Sequence, residues 1–219
     1  MKKISKLALL AAATASLLAA FPACSNDDDG TPNTELDDKD KDKVDDDNKT
    51  DPDTPVTVNA VWDWSTTTEV PGGIGTAKLS TADSDNIPPS SGSGATIKAL
   101  KGSQFATPTA GQGLKANGSL KSEPSSVDHT KAGSSGLCKS WLEFTLAGNA
   151  TVKIEGAATN TTDYRCIILA DSSDTIIEML HSTTTSTGNT CPLSTTQKLN
   201  AGTYYIGLDG AYISKITCE

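Results

Sequence analysis

The feature that most constrains the fold of this chain is a series of short runs in which apolar and polar residues alternate. In chain order they are W-L-E-F-T-L (141–146), A-T-V-K-I-E (150–155), Y-R-C-I-I-L-A (164–170), T-I-I-E-M-L (175–180), T-Y-Y-I-G-L (203–208) and A-Y-I-S-K-I-T-C (211–218). Alternation of this kind puts neighbouring side chains on opposite faces of a strand. Gly, Asn, Asp and Ser bound the runs and no long helical period appears, which is typical of an antiparallel sandwich or barrel.

The alternation also predicts which residues share a face. In the first run Leu142 and Phe144 lie on one face, whereas Trp141 and Glu143 lie on the other. One buried and one solvated face indicate two sheets packed face to face. A-G-N-A (147–150) and D-G-A (209–211) predict hairpin turns. The Ser-, Gly- and Pro-rich middle of the domain predicts only two short strands, A-T-I-K-A-L (95–100) and G-L-K-A-N (113–117).

Two of the three tryptophans stand one residue apart in V-W-D-W, Val61 to Trp64. Alternation places Trp62 and Trp64 on one face and Val61 and Asp63 on the other. The pair is either an exposed platform for a sugar or part of the first core strand. We favour the core strand, because the segment begins where an acidic stretch ends.

The N-terminus has the pattern of an export signal over residues 1–23. Three lysines precede an apolar stretch from Leu7 to Phe21 that is short for a membrane-spanning helix. Ala23 and Cys24 follow, and F-P-A-C-S-N resembles a bacterial lipoprotein signal, which implies lipidation of Cys24 and attachment to the outer membrane or cell surface. The alternative is ordinary cleavage near Ala23, with Cys24 left as a thiol.

Residues 24–55 are predicted to be a disordered acidic tether. Between positions 25 and 55 the chain has 13 acidic residues against four lysines and almost no apolar residue. Such a segment cannot bury enough surface to offset the entropy of ordering it. The run D-D-K-D-K-D-K-V-D-D-D-N lacks the glycine and the glutamate of a helix-loop-helix calcium site, which favours a solvated tether.

The acidity of the chain therefore lies mainly outside the predicted domain, residues 56–219. The whole chain has a net charge of −9, whereas the domain has 14 acids and 11 bases, a net charge of −3. Its one arginine is Arg165. A domain of this kind has no basic patch for nucleic acid.

Four cysteines remain in the domain when Cys24 is set aside. An even number in an exported domain predicts disulfides, for which three connectivities are open. Their spacing includes no C-x-x-C pair, which argues against a zinc site. We expect Cys138–Cys218 and Cys166–Cys191.

Four stretches carry a family resemblance: W-D-W-S near the start, G-L-K-A-N-G-S and S-W-L-E-F-T-L-A-G-N-A-T-V-K-I in the middle, and T-Y-Y-I-G-L-D-G-A-Y-I-S-K-I at the end. They resemble non-catalytic β-sandwich domains attached to secreted pectate lyases and other polysaccharide-degrading enzymes. The resemblance covers most of residues 58–219. It implies an all-β, jelly-roll-like antiparallel sandwich and carbohydrate binding, with separate glycan-degrading enzymes as candidate partners.

The sequence gives little support for catalysis. The chain has two histidines, His129 and His181, and none of the serine-hydrolase, zinc-protease or phosphate-loop motifs. Asp128 and His129 are adjacent, but neighbours in a strand or loop usually point apart. A parallel β-helix enzyme would show repeats, and none appears. We therefore expect a protein that is not an enzyme.

Carbohydrate binding is the function that the sequence supports best. Proteins hold sugars with aromatic rings that stack on them, so the aromatic residues are the candidates for the site. The candidates are Trp141, Tyr164, Tyr204 and Tyr212, with Tyr205 beside them. Trp141 leads because alternation leaves it on the solvated face. For every ring the competing interpretation is core packing. The expected ligand is a plant or other environmental polysaccharide of the pectin type.

Two other classes stay open. The chain could be a surface adhesin or structural lipoprotein that binds a protein partner, and a tether fits that role equally well. A jelly-roll module could also hold a structural calcium ion through loop acids, for which the candidates are Asp83, Asp85, Asp171 and Asp174.

Overall fold

The computed structural model describes residues 55–67, 86–107, 111–118, 120–124, 126–134, 137–160, 163–182 and 190–219. All of them belong to one compact unit, Thr50–Glu219. The predicted signal, Cys24 and almost all of the predicted tether lie outside the described residues. In the part of the chain that is described, no helix is long and apolar enough to cross a membrane.

The described residues form an all-β fold of twelve strands and one short 3-10 helix, His129–Lys131. The strands are β1 Val61–Asp63, β2 Asn86–Ile87, β3 Ala95–Ala99, β4 Phe105–Ala106, β5 Leu114–Ala116, β6 Ser140–Leu146, β7 Ala150–Ala158, β8 Cys166–Asp171, β9 Ile176–His181, β10 Cys191–Leu199, β11 Gly202–Asp209 and β12 Ala211–Cys218.

The strands build two antiparallel sheets of six strands each. Sheet I has the order β10-β7-β12-β5-β4, and β1 pairs with the second half of β12. Sheet II has the order β2-β3-β6-β11-β8-β9. The predicted β-sandwich is confirmed, and each of the eight predicted runs coincides with a strand, shifted by at most a few residues.

From β6 onward the chain alternates between the sheets, which gives the sandwich its jelly-roll-like course. β6 is in sheet II, β7 in sheet I, β8 and β9 in sheet II, β10 in sheet I, β11 in sheet II and β12 in sheet I. The turns at 147–149 and 210 therefore join strands of different sheets. The expected hairpins at A-G-N-A and D-G-A are wrong, because the partners of β6 and β12 lie elsewhere in their sheets.

The main core lies between the two sheets and contains both residues of the V-W-D-W pair. Trp62 is fully buried and Trp64 is 5% exposed. The indole Nε1 of Trp62 donates to the carbonyl of Ile87 at 2.9 Å. Its ring meets Phe144 edge to face, with centroids 6.2 Å apart. This prediction is confirmed, because the segment is a core strand whose polar indole atom is satisfied from sheet II.

A second apolar cluster covers the opposite face of sheet II, and we call it the outer cluster. A covering segment, made of the described residues 120–124, 126–134 and 137–138, packs over that face before β6 begins. The backbone N–H of Leu120 donates to the buried carboxylate of Asp209 at 3.1 Å, which fastens the start of the segment. The buried members of the outer cluster are Leu100, Leu120, Ala132, Cys138, Trp141, Cys166 and Ile168.

The expected disulfides are not present, since no two described cysteines lie at bonding distance. Cys138 precedes β6 at the end of sheet II where Ser140 pairs with Leu208. Cys218 ends β12, seven residues beyond Ala211, which is roughly 23 Å along the strand. The Cys138–Cys218 pairing is therefore wrong, because the two residues lie at opposite ends of the sandwich and in different clusters.

The second expected pair is wrong for a related reason. The sulfur of Cys166 lies 4.0 Å from that of Cys138 in the outer cluster, whereas Cys191 belongs to the main core. Sheet II itself separates these two clusters. Counting cysteines in the sequence could not reveal on which side of the sheet each one lies.

Candidate functional site

The candidate site is a depression of about 250 Å³ on the outer face of sheet II, beside the covering segment. Its floor comes from two register partners, Glu143 on β6 and Tyr205 on β11. Partners across two strands point to the same face, so the carboxylate and the phenol stand side by side. The lining residues are Leu100, Lys101, His129, Thr130, Glu143 and Tyr205.

His129 forms one wall of the depression and is held from two directions. Its Nδ1 lies 2.8 Å from Oδ1 of Asp174, and its backbone N–H donates to the same oxygen at 3.2 Å. Its ring stacks on Tyr205 with centroids 3.6 Å apart and planes 6° from parallel. Because a carboxylate only accepts, Nδ1 carries the proton and Nε2 is the nitrogen left for another partner.

The 3-10 helix that carries His129 is capped by Asp128. The carboxylate of Asp128 accepts from the backbone N–H of Thr130 at 3.1 Å and forms an ion pair with Lys131 at 2.7 Å. The hydrogen bonds from Lys131 and Thr130 lower the pKa of Asp128 to about 2. The adjacent residues Asp128 and His129 thus have separate partners, and the carboxylate that orients His129 comes from the turn between β8 and β9.

That turn holds two of the acids considered for calcium. Asp171 accepts from the backbone N–H groups of Ser173 and Thr175 at 2.8 and 2.9 Å, and Asp174 is engaged with His129. Within the described residues no group of three or more histidine, cysteine or acidic side chains could hold a metal. Asp83 and Asp85 lie outside the described residues.

Charge in the depression is of both signs. The carboxylate of Glu143 forms an ion pair with Lys98, its neighbour on β3, at 3.2 Å. Lys101 follows β3 and lines the same depression. An imidazole, a phenol, a hydroxyl, an ammonium and a carboxylate therefore converge on one small concavity. This set can donate and accept hydrogen bonds to a polar ligand, and Lys101 can also meet a negative charge.

The ring that we expected to lead the site, Trp141, is wrong as an exposed binding residue. It is 1% exposed and belongs to the outer cluster. Its backbone N–H donates to Oγ of Ser103 at 2.9 Å, and that hydroxyl donates back to the Trp141 carbonyl at 3.1 Å. Alternation placed the indole on the correct face, but the covering segment shields that face from solvent.

The other predicted rings do not meet in one platform. Tyr164 is half-buried against the outer cluster, and its hydroxyl donates to Sδ of Met179 at 3.0 Å. Tyr204 packs against the main core, with its hydroxyl on the carbonyl of Asn200 at 2.9 Å. Tyr212 is half-buried on β12 in sheet I. Tyr205, opposite in direction to Tyr204, is the tyrosine that reaches the depression.

Sequence reasoning missed Lys101, Thr130 and Glu143 as site residues. Glu143 could have been found, since alternation already placed it beside Trp141 on the outer face. Lys101 and Thr130 follow from no pattern, because their positions depend on how the aperiodic covering segment folds over sheet II. Asp174 was considered only as a calcium ligand.

Comparison with protein-family models and with curated proteins gave no match for the chain. The protein is thus a two-sheet β-sandwich with an additional covering segment, and the depression is its candidate binding site.

Proposed function

We propose that the protein is a non-catalytic carbohydrate-binding module displayed on the cell surface, and that the depression beside His129 holds the sugar. The observation that carries this proposal is that two stacked rings, His129 and Tyr205, meet hydrogen-bonding groups in one concavity. Those groups include a positive and a negative side chain. Ligand sites commonly combine aromatic walls with a few placed polar groups. Two larger depressions, of about 350 and 300 Å³, are lined by no aromatic residue in the part of the chain that the structure describes.

The arrangement suits binding better than turnover. His129 is stacked over Tyr205 and fixed by Asp174, and Glu143 is paired with Lys98. Glycoside cleavage needs two carboxyl groups that flank the scissile bond, and the described residues that line the depression supply one. We propose a glycan of the pectin type, because Lys101 can pair with a uronate carboxylate while His129 Nε2 and Thr130 bond to hydroxyls.

The experiment is affinity electrophoresis and calorimetry of the purified protein on polygalacturonate, pectin and a set of neutral polysaccharides. His129→Ala is expected to weaken binding roughly tenfold or more, which corresponds to about 1.4 kcal/mol. His181→Ala is the matched control, since His181 is exposed on β9 and bonds the carbonyl of Ser182 outside the depression. Absence of retention on every polysaccharide would overturn the proposal.

A second measurement separates acidic from neutral glycans. Lys101→Gln is expected to weaken binding to polygalacturonate and to reduce its salt dependence, while binding to a neutral polymer is unchanged. Product release from any of these polymers would instead contradict the non-catalytic role.

We further propose that Cys24 is lipidated and that residues 24–55 tether the sandwich to the bacterial surface. The lipobox-like F-P-A-C and the acidic composition that follows support this. Cells fed an alkyne-tagged fatty acid should label the wild-type chain. Label retained in Cys24→Ser would rule out lipidation at this cysteine.

One observation favours the alternative of an adhesin that binds a protein. Ile176 and Ile177 on β9, the edge strand of sheet II, are 41% and 36% exposed. An exposed apolar edge strand can accept a strand from another protein. Failure on all polysaccharides, together with a protein ligand whose binding is lost in Ile176→Lys, would favour this alternative.

A further inference from the structure

The two cysteines of the outer cluster touch each other. The sulfurs of Cys138 and Cys166 lie 4.0 Å apart, and the residues are 1% and 0% exposed. Cys138 closes the covering segment just before β6, and Cys166 begins β8. β11 stands between β6 and β8, so this contact joins the segment to a strand two positions away in sheet II.

The other two cysteines of the domain cannot join each other. Along β7, Cys191 is opposite Ala158 and Cys218 is opposite Val152. These β7 positions are six residues apart, roughly 20 Å, whereas disulfide-bonded residues have Cα atoms within about 7 Å. Both residues belong to the main core, on the far side of sheet II from Cys138 and Cys166.

We propose that Cys138 and Cys166 form the one disulfide of this domain when the protein is exported into an oxidising compartment. Formation removes two protons and two electrons from the thiols and creates one S–S bond. The electrons reduce the disulfide of a dithiol oxidoreductase, or glutathione disulfide, to two thiols. One cysteine first forms a mixed disulfide with that oxidant, and the second displaces it.

The exchange takes place before the covering segment docks. In the folded protein both sulfurs are buried, and the hydrogen bond to Cys166 together with burial raises the pKa of the Cys138 thiol well above its ordinary value. A thiol in that state is a poor nucleophile, so folding and oxidation are coupled. Once packed, the bond is inaccessible to reductants.

The bond closes a loop of 28 residues that contains β6 and β7, and the 3-10 helix ends seven positions before that loop begins. It fixes the end of the covering segment, which also contains His129, to β8 in the outer cluster. Reduction should therefore loosen the depression without opening the main core. Loop-closure arguments and the size of the domain predict a Tm lower by roughly 6–12 °C for the reduced protein.

Peptide mapping of the full chain, refolded in a glutathione redox buffer and alkylated under denaturing conditions, tests the proposal directly. Trypsin releases Cys138 in A-G-S-S-G-L-C-K (132–139), Cys218 in I-T-C-E (216–219) and Cys24 within 7–39. Cys166 and Cys191 share the peptide 166–198, which cleavage after Glu178 divides between them. The expected product joins 132–139 to 166–178, with Cys191 and Cys218 alkylated.

Each other result overturns the proposal. A link from 132–139 to 216–219 or to 179–198 would assign a different pair, and alkylation of all four domain cysteines would mean that no disulfide forms. Cys191→Ser is the matched control and should retain the link, whereas Cys138→Ser and Cys166→Ser should each lose it. Mapping the wild-type chain decides the question even if a variant folds poorly, and it does not depend on glycan binding.

Discussion

The indole of Trp141 lies directly against the backbone of Gly207, its register partner on the neighbouring strand β11. A Cβ atom placed on Gly207 would come within 2.7 Å of the six-membered ring of the indole. Gly207 is thus the residue that leaves room for the largest side chain of the outer cluster. The same contact keeps Trp141 against the sheet, within the outer cluster and below the covering segment.

Gly207→Ala should therefore destabilise the protein by about 1–3 kcal/mol, because the added methyl group overpacks the site. Urea denaturation gives the free energy of unfolding. Combining the change with Trp141→Phe, which shortens the ring system, should recover part of the loss, so the two effects are not additive. Additive losses would show that the two residues do not limit each other's size.

The strands of this fold could be predicted because their signal is local. W-L-E-F-T-L and A-T-V-K-I-E alternate strictly, and they became β6 and β7 with their apolar residues in the main core. β10 was not predicted, since S-T-T-Q-K in its middle contains no apolar residue to mark a face. The residues of β10 that face the main core are found only near its two ends, and they are Cys191, Leu193 and Leu199.

The candidate site could not be predicted to the same extent, because it depends on contacts distant in sequence. Alternation identified the face on which Trp141 and Glu143 lie, but not what covers that face. His129 and Asp174 are 45 residues apart, and neither belongs to a periodic run. The prediction of the cysteine pairs was wrong for the same reason, because the sheet and the face on which each cysteine lies decide which sulfurs can meet.

Trp62 offers a test of the first strand. Trp62→Phe removes the hydrogen bond to the Ile87 carbonyl and leaves a cavity between the sheets. We expect a loss of about 2–4 kcal/mol, the sum of an unsatisfied buried acceptor and lost packing. Trp64→Phe is the control, because no hydrogen bond to its indole occurs among the described residues and the ring is slightly exposed. Equal losses in urea denaturation would contradict a special role for the Nε1 bond.

Asp174 is the one described residue other than glycine with a positive φ, at 61°. Asparagine tolerates this conformation and keeps an oxygen for His129, so Asp174→Asn should be close to wild type in stability. Asp174→Gly and Asp174→Ala both lose the bond to His129, but alanine also has the strain of the left-handed region. Alanine should be the less stable of the two by about 1 kcal/mol. Matching urea midpoints for these two variants would show that the turn relaxes to another conformation.

Tyr164 should make stability fall at alkaline pH. Burial raises the pKa of its phenol from 10.0 to about 12, so the folded protein keeps the proton to higher pH than the unfolded chain. A group whose pKa is higher in the folded state contributes its full stabilisation of the folded protein below the unfolded-state pKa. This contribution is lost as the pH rises through the folded-state pKa. The window is therefore pH 10 to 12.

In Tyr164→Phe this part of the pH dependence is absent. Urea midpoints measured from pH 8 to pH 12 should fall more steeply for the wild type than for the variant above pH 10. The titrations of the other tyrosines and the lysines occur in both proteins and cancel in the difference. The values at pH 8 report the loss of the hydroxyl bond to Met179 alone. Parallel curves across the whole range would mean that the folded and unfolded phenols titrate together, and that the outer cluster does not shield Tyr164.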